Sequence, residues 1–228
     1  IRGDDHISNT PKQVLLYRAA AAPPPHFAHL PLILGPDKKR LSKRHGAVSV
    51  TEYRDKGYLP QAMFNFLALL GWSPGEGREK MNREEMTSAF QLADINRKGA
   101  VFDEQKLEWL NSQYINDLPA DRLAAMIRSG MQAEGLWAGD LDEGGARRAW
   151  LMGVIEALKA RSKRLPDFVR DARPFLSDQF DYRPEAVDKH LKGGGKSGGP
   201  AAVADRMRAL RDALARIEPF SEPATEAA

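Results

Sequence analysis

The stretch Lys38-Lys39-Arg40-Leu41-Ser42-Lys43-Arg44 puts five cationic side chains into seven residues. Ammonium and guanidinium groups at that density suit a polyphosphate, because they neutralise oxygens as charge develops on a leaving pyrophosphate. Ser42 adds a hydroxyl donor inside the same stretch. The competing reading is a solvated basic loop with no ligand. Gly35-Pro36-Asp37 separates the cluster from the apolar run 29–34. Residues of these three types end a strand in a turn, which predicts an exposed loop at a strand end.

Other residues offer weaker chemistry. The Arg2 guanidinium suits bidentate pairing with a carboxylate, either a ligand's or that of neighbouring Asp4 or Asp5. His6 beside two aspartates reads as half a metal site, but no second ligand of suitable spacing follows, so no metal is assigned. Arg161, Lys163 and Arg164 fit either phosphate contacts or a solvated helix end. Phe102, Trp109 and Tyr114 could stack on nucleotides; helical spacing assigns Trp109 to the core instead. The low-complexity stretch 192–199 contains Gly-Lys-Ser without the first glycine of a phosphate-binding loop and without a preceding strand pattern. It reads as a flexible hinge.

The elements that must carry these groups are mostly helices. Thr10-Pro11-Lys12-Gln13 fits a capping box with proline at the first helical position, opening a helix through about Ala21. Ser49-Val50-Thr51-Glu52 repeats the pattern and Gly57 fits a helix stop. Pro60 opens a helix whose Met63, Phe66, Leu67 and Leu70 share one face. Asn82 and Glu85 cap another, and Leu107, Leu110 and Tyr114 mark the next. Further helices are predicted over 120–129, 146–160, 166–172 and 184–191. A last stripe of Val203, Met207, Leu210, Leu214 and Ile217 reads as core packing.

Composition excludes several classes. The 228 residues suffice for one large domain or two small ones. Hydrophobic residues at 42% and charged residues at 29% fit a globular protein. No run reaches the roughly 20 apolar residues a bilayer span needs. The chain has no cysteine, so it holds neither a disulfide nor a thiolate metal site. The balance of 34 basic against 31 acidic residues, +3 overall, does not by itself imply nucleic acid. Local clustering carries that argument.

Arg40-Leu41-Ser42-Lys43-Arg44-His45-Gly46 resembles the second signature loop of class I aminoacyl-tRNA synthetases, in the form found in bacterial glutamyl-tRNA synthetases. Ile1-Arg2-Gly3-Asp4-Asp5-His6-Ile7-Ser8-Asn9-Thr10-Pro11 resembles the same family's segment at the end of an active-site strand. Gly57-Tyr58-Leu59-Pro60-Gln61-Ala62 with Leu69-Leu70-Gly71-Trp72, and Lys106-Leu107-Glu108-Trp109-Leu110-Asn111, also resemble it. These matches run to about Ile115.

The resemblance implies a mixed α/β chain that is mostly α. Residues 1–47 would form the C-terminal part of a Rossmann-like catalytic domain, 48–117 a helical tRNA stem-contact region, and 118–228 part of an α-helical anticodon-binding domain. It implies a glutamate-tRNA ligase that makes glutamyl-adenylate from ATP, with Mg2+ and no zinc site, then charges tRNA(Glu). Lys43 would contact the ATP phosphates with Ser42 and Arg40 beside it; His6 would lie near adenine; Arg2 and Asp5 would hold glutamate. Arg40 replaces the family's usual lysine, which keeps charge but changes geometry. A cytoplasmic monomer is expected.

The first signature motif, His-Ile-Gly-His or a close form, is absent from the sequence. Ile1-Arg2 reads as mid-strand and Ser221 as the cap of a helix without a body, so a fragment is expected, inactive alone and poorly soluble in its N-terminal portion. Glutaminyl-tRNA synthetase would bring β-barrels instead of helices, and a shortened paralogue that modifies a tRNA base would lack the helical second half. Two alternatives stay open: a non-catalytic tRNA-binding module, and a synthetase that also charges tRNA(Gln).

Overall fold

The computed structural model describes residues 1–42, 44, 49–75, 77–179, 182, 184–191 and 200–216. Lys43, the 192–199 stretch, Ile217 and Ser221 lie outside them. The chain divides into two compact units, Ile1–Ser177 and Asp178–Ala228.

The first unit opens with β1 (Arg2–Gly3), a 3-10 helix (Asp4–Asn9) and α1 (Thr10–Ala19). The capping box predicted at Thr10 does not form. The 3-10 turn runs directly into α1, so the Thr10 N–H already donates to His6 O and Ile7 O. The Thr10 hydroxyl instead donates to His6 O at 3.2 Å and meets His29 Nε2 at 2.9 Å.

The apolar run 29–34 forms two strands, not one: β2 (His29–Leu30) and β3 (Ile33–Leu34). Pro31 between them has no N–H for a ladder. β2 pairs in parallel with β1, and β3 pairs in parallel with β4 (Ala100–Val101).

Helices α2 (Val50–Asp55), α3 (Pro60–Gly71), α4 (Arg83–Ala89) and α5 (Glu104–Asp117) follow the local signals closely. Ser49 caps α2 by accepting from Thr51 N, and Gly57 leaves the helix with φ +86°. Asn82 and Glu85 complete the predicted reciprocal box on α4. On α3 the buried face holds Met63, Phe66 and Leu70 as predicted, but Leu67 is exposed. Asn65 takes a place on that face instead, because its amide oxygen accepts from Met81 N and from the Tyr114 hydroxyl.

Helices α6 (Ala120–Ala133), α7 (Arg148–Lys159) and α8 (Leu165–Leu176) complete the unit. α6 outruns its predicted end at 129, and α8 continues through Pro174 beyond the predicted 172. The largest core cluster joins Leu59 and Ala62 of the α3 start to Ile115 of α5, Leu123 and Met131 of α6, Leu151 and Leu158 of α7, and Phe168 of α8. A second cluster packs Tyr53, Tyr58, Phe66, Leu107 and Leu110. The core therefore runs without interruption across Leu118.

The second unit holds a three-residue α9 (Pro184–Ala186), a π-helical turn (Val187–Leu191) and α10 (Pro200–Leu214). Of the predicted core stripe on α10, Val203 is buried, while Met207 and Leu210 are exposed.

Candidate active site and nucleic-acid interface

The basic cluster leaves β3 through a tight return. Gly35 N donates to Lys39 O at 2.7 Å, Lys38 N to Gly35 O at 2.9 Å, and Leu41 N back to Ile33 O at 2.9 Å. Lys38 sits at φ +59°, a left-handed conformation unusual for a residue with a Cβ. Asp37 stabilises the turn by accepting from Lys39 N at 3.0 Å, and its other oxygen meets Arg44 at 3.4 Å. Lys38, Lys39 and Arg40 are exposed while Ser42 is half-buried. The predicted loop at a strand end is the observed one.

A second segment faces this hairpin. Arg2 N donates to Ala28 O at 3.0 Å, and the Arg2↔His29 register places Asp4 to Asn9 beyond the strand end. Asp5 and Arg40 meet at 3.2 Å. Asp5 therefore does not pair with Arg2, as the sequence allowed. The Arg2 guanidinium lies over the Phe27 ring, 5.1 Å from its centroid. His6 is exposed and, among the described residues, no group of three His, Asp or Glu side chains is placed to hold a metal ion.

The other predicted cations behave differently. Lys163 Nζ lies 3.3 Å from one oxygen of Glu108 and Arg164 Nε 3.8 Å from the other. Arg164 also lies over the Tyr58 ring, at 5.9 Å. Their backbone N–H groups donate to Asp167 at 3.0 and 2.9 Å, opening α8. Both residues are thus tied into a joint between α5 and α8; of the three cations, Arg161 is exposed and makes no ion pair among the described residues. Trp109 is 44% exposed, which corrects its assignment to the core, whereas Phe102 and Tyr114 do pack against it. Leu107, Leu110, Asn111 and Ile115 form the buried stripe of α5, and helical geometry turns Trp109 away from it.

Three residues hold this joint in a role that the sequence did not assign them. The buried Asn111 accepts from Leu59 N at 2.8 Å and donates to Lys163 O at 2.5 Å. Leu165 N donates to Gly57 O at 3.2 Å, so Gly57 is both helix stop and contact point. Glu108 supplies the charge. The signal was an asparagine four residues after Leu107, on the apolar stripe where a polar residue must find partners. Burial, with Glu108 and Glu104 nearby, pushes the Tyr58 hydroxyl well above the usual phenol range, and Arg164 partly opposes this.

Residues 1–109 match the family described as tRNA synthetases class I (E and Q), catalytic domain, and residues 122–228 match an anticodon binding domain. The chain belongs to the class I tRNA synthetases. Among curated relatives of this synthetase family, glutamate–tRNA ligase 2 of Koribacter versatilis is 46% identical over 227 residues, 99% of this chain and 45% of that protein. The glutamate–tRNA ligase of Thermodesulfovibrio yellowstonii is 40% identical over 227 residues, again 99% of this chain, and 46% of its own length. A crystal structure of a glutamate tRNA ligase from Elizabethkingia meningosepticum, in complex with its amino acid, superposes with TM-score 0.79 at 26% identity. It covers 99% of this chain and 45% of that one. This synthetase chain therefore spans a little under half the length of the relatives it matches. The mostly helical architecture, with short strands from the end of a catalytic domain followed by anticodon-domain helices, is that of the family.

Proposed function

We propose that the complete protein attaches glutamate to tRNA(Glu). The observation that carries this is the 40–46% identity, over nearly the whole chain, to curated glutamate–tRNA ligases. In this reading the glutamate α-carboxylate attacks the α-phosphorus of ATP and pyrophosphate leaves. A hydroxyl of the terminal adenosine of tRNA then attacks the acyl carbon and AMP leaves. Lys43 neutralises the phosphates, with Ser42 and Arg40 close by in the sequence, and His6 lies beside the adenine. Arg2 and Asp5 serve the glutamate end, with Asp5 also holding Arg40 to the segment that carries both. Mg2+ accompanies the triphosphate.

Residues 1–47 act as the catalytic part, 48–117 as the stem-contact region and 118–228 as part of the anticodon-binding region. The partners are tRNA(Glu), L-glutamate and ATP, in a cytoplasmic monomer. Among the described residues no helix is long and apolar enough to cross a membrane.

The test is binding of glutamate-specific tRNA to this chain over a salt series, against an unrelated tRNA. Each phosphate neutralised steepens the log-log slope by roughly 0.9 in duplex-like regions. A several-fold preference for the glutamate tRNA with a steep slope is expected; equal weak binding of both removes the tRNA-contact reading. Because the first signature motif is absent from these 228 residues, the chain alone is expected not to charge tRNA. Aminoacylation by it would overturn that assignment of roles.

A further inference from the structure

A cavity of about 600 Å³ opens on the surface between α3 and α4, lined by Gln61, Phe64, Met81, Arg83, Glu84 and Tyr114 among others. Phe64 is 49% exposed, on the side of α3 away from its buried face. The Arg83 guanidinium lies over its ring, 5.8 Å from the centroid. Single exposed apolar residues are ordinary. An exposed ring beneath a guanidinium, at the mouth of a cavity of ligand size, is a more specific arrangement.

A buried amide braces two of the lining residues. Asn65 is fully buried, and its amide oxygen accepts from Met81 N at 2.9 Å and from the Tyr114 hydroxyl at 2.8 Å, both of them lining residues. Its amide nitrogen has no hydrogen-bond partner among the described residues. Gln61 and Glu84 add an amide and a carboxylate to the lining. Lys80, which donates to Gln113 O at 3.0 Å and pairs with Asp117, lies over the ring of the lining residue Tyr114. Aromatic faces interleaved with cations are what unpaired nucleotides stack on.

We propose that this cavity receives one unpaired nucleobase of the RNA partner, stacked on Phe64, with Arg83 on the adjoining phosphate. Glu84 accepts from an exocyclic amine, which favours adenine, cytosine or guanine over uracil. The assignment rests on the reading that the partner is tRNA.

The experiment compares the unsubstituted chain with Phe64→Ala, Phe64→Tyr and Arg83→Gln. Each is titrated with glutamate-specific tRNA and with a fully paired RNA duplex of similar size, over a salt series. Phe64→Ala is expected to weaken tRNA binding by about 5- to 100-fold, the range for one stacked base, with the salt slope unchanged. Duplex binding stays within about twofold, since stacking needs an unpaired base. Phe64→Tyr keeps the ring and binds as the unsubstituted chain does. Arg83→Gln lowers the slope on tRNA by about one phosphate equivalent. Unchanged tRNA affinity in Phe64→Ala, equal losses on tRNA and duplex, or an unchanged slope in Arg83→Gln each overturns the proposal while leaving tRNA as partner. Absence of tRNA binding by the unsubstituted chain overturns both. Phe64→Ala is accepted only with an unaltered melt; otherwise Arg83→Gln decides.

Discussion

Asp5 Oδ2 lies 3.2 Å from Arg40 Nη1, tying the strand-end segment to the basic hairpin. The pair links two stretches far apart in sequence, each matching its own part of the synthetase pattern. Arg40 is 69% exposed and Asp5 33%, so the pair contributes little to stability, about 0–1 kcal/mol. Its consequence is positional: it sets where Arg40 of the hairpin stands.

Asp5→Asn is therefore expected to leave the melting temperature of this chain nearly unchanged. In the complete synthetase, loosening Arg40 should lower ATP-dependent adenylate formation by about tenfold or more, with the KM for ATP rising. A rise confined to the KM for glutamate would show that Asp5 acts on the amino acid alone.

Lys43→Ala in the complete synthetase is expected to cut ATP–pyrophosphate exchange by roughly 10²-fold, the scale for losing one group aimed at developing charge. Binding of tRNA should hardly change. Comparable losses in both, or in neither, would contradict a phosphate role.

Gly57 has φ +86°, and a Cβ there would lie 2.3 Å from Pro166 Cδ and 3.1 Å from Leu165 N. Gly57→Ala meets both a left-handed backbone and a ring that cannot give way. A destabilisation of about 2–4 kcal/mol is expected, read as a lower urea midpoint of this chain. An unshifted midpoint would mean that the contact between the α2–α3 turn and the start of α8 is loose.

Burial, reinforced by Glu104 and Glu52, pushes the Tyr53 hydroxyl up to about 12. Burial raises Tyr58 and Tyr114 as well. A raised folded value means that the folded chain holds the phenol proton where the unfolded chain, at about 10, has released it. Stability is full below pH 10 and falls as pH rises from there through 12. Melting temperatures from pH 8 to pH 12, followed beside phenolate absorbance, should drop only in that upper window. A flat profile would mean that these rings ionise freely in the folded state.

Much of this architecture was legible from short stretches. Asn82 with Glu85, Ser49, Gly57 and Pro60 marked helix ends correctly, because caps and turn dihedrals depend on neighbours within one turn. Gly35-Pro36-Asp37 announced the basic hairpin for the same reason, and ordered matches announced the family. Thr10 failed as a cap because a 3-10 helix had already taken the first N–H groups.

The residue types along the chain determined which segments are helical, where they stop and which cations share a loop. Only the tertiary structure decided that Asp5 chooses Arg40 over Arg2, that Lys163 and Arg164 turn to Glu108, and that Trp109 faces outward while Asn111 and Asn65 face inward. Local hydrogen bonds are set by adjacent residues. Ion pairs and buried amides are set by which distant surfaces the core brings within about 3 Å, and periodicity along one helix carries no record of that distance.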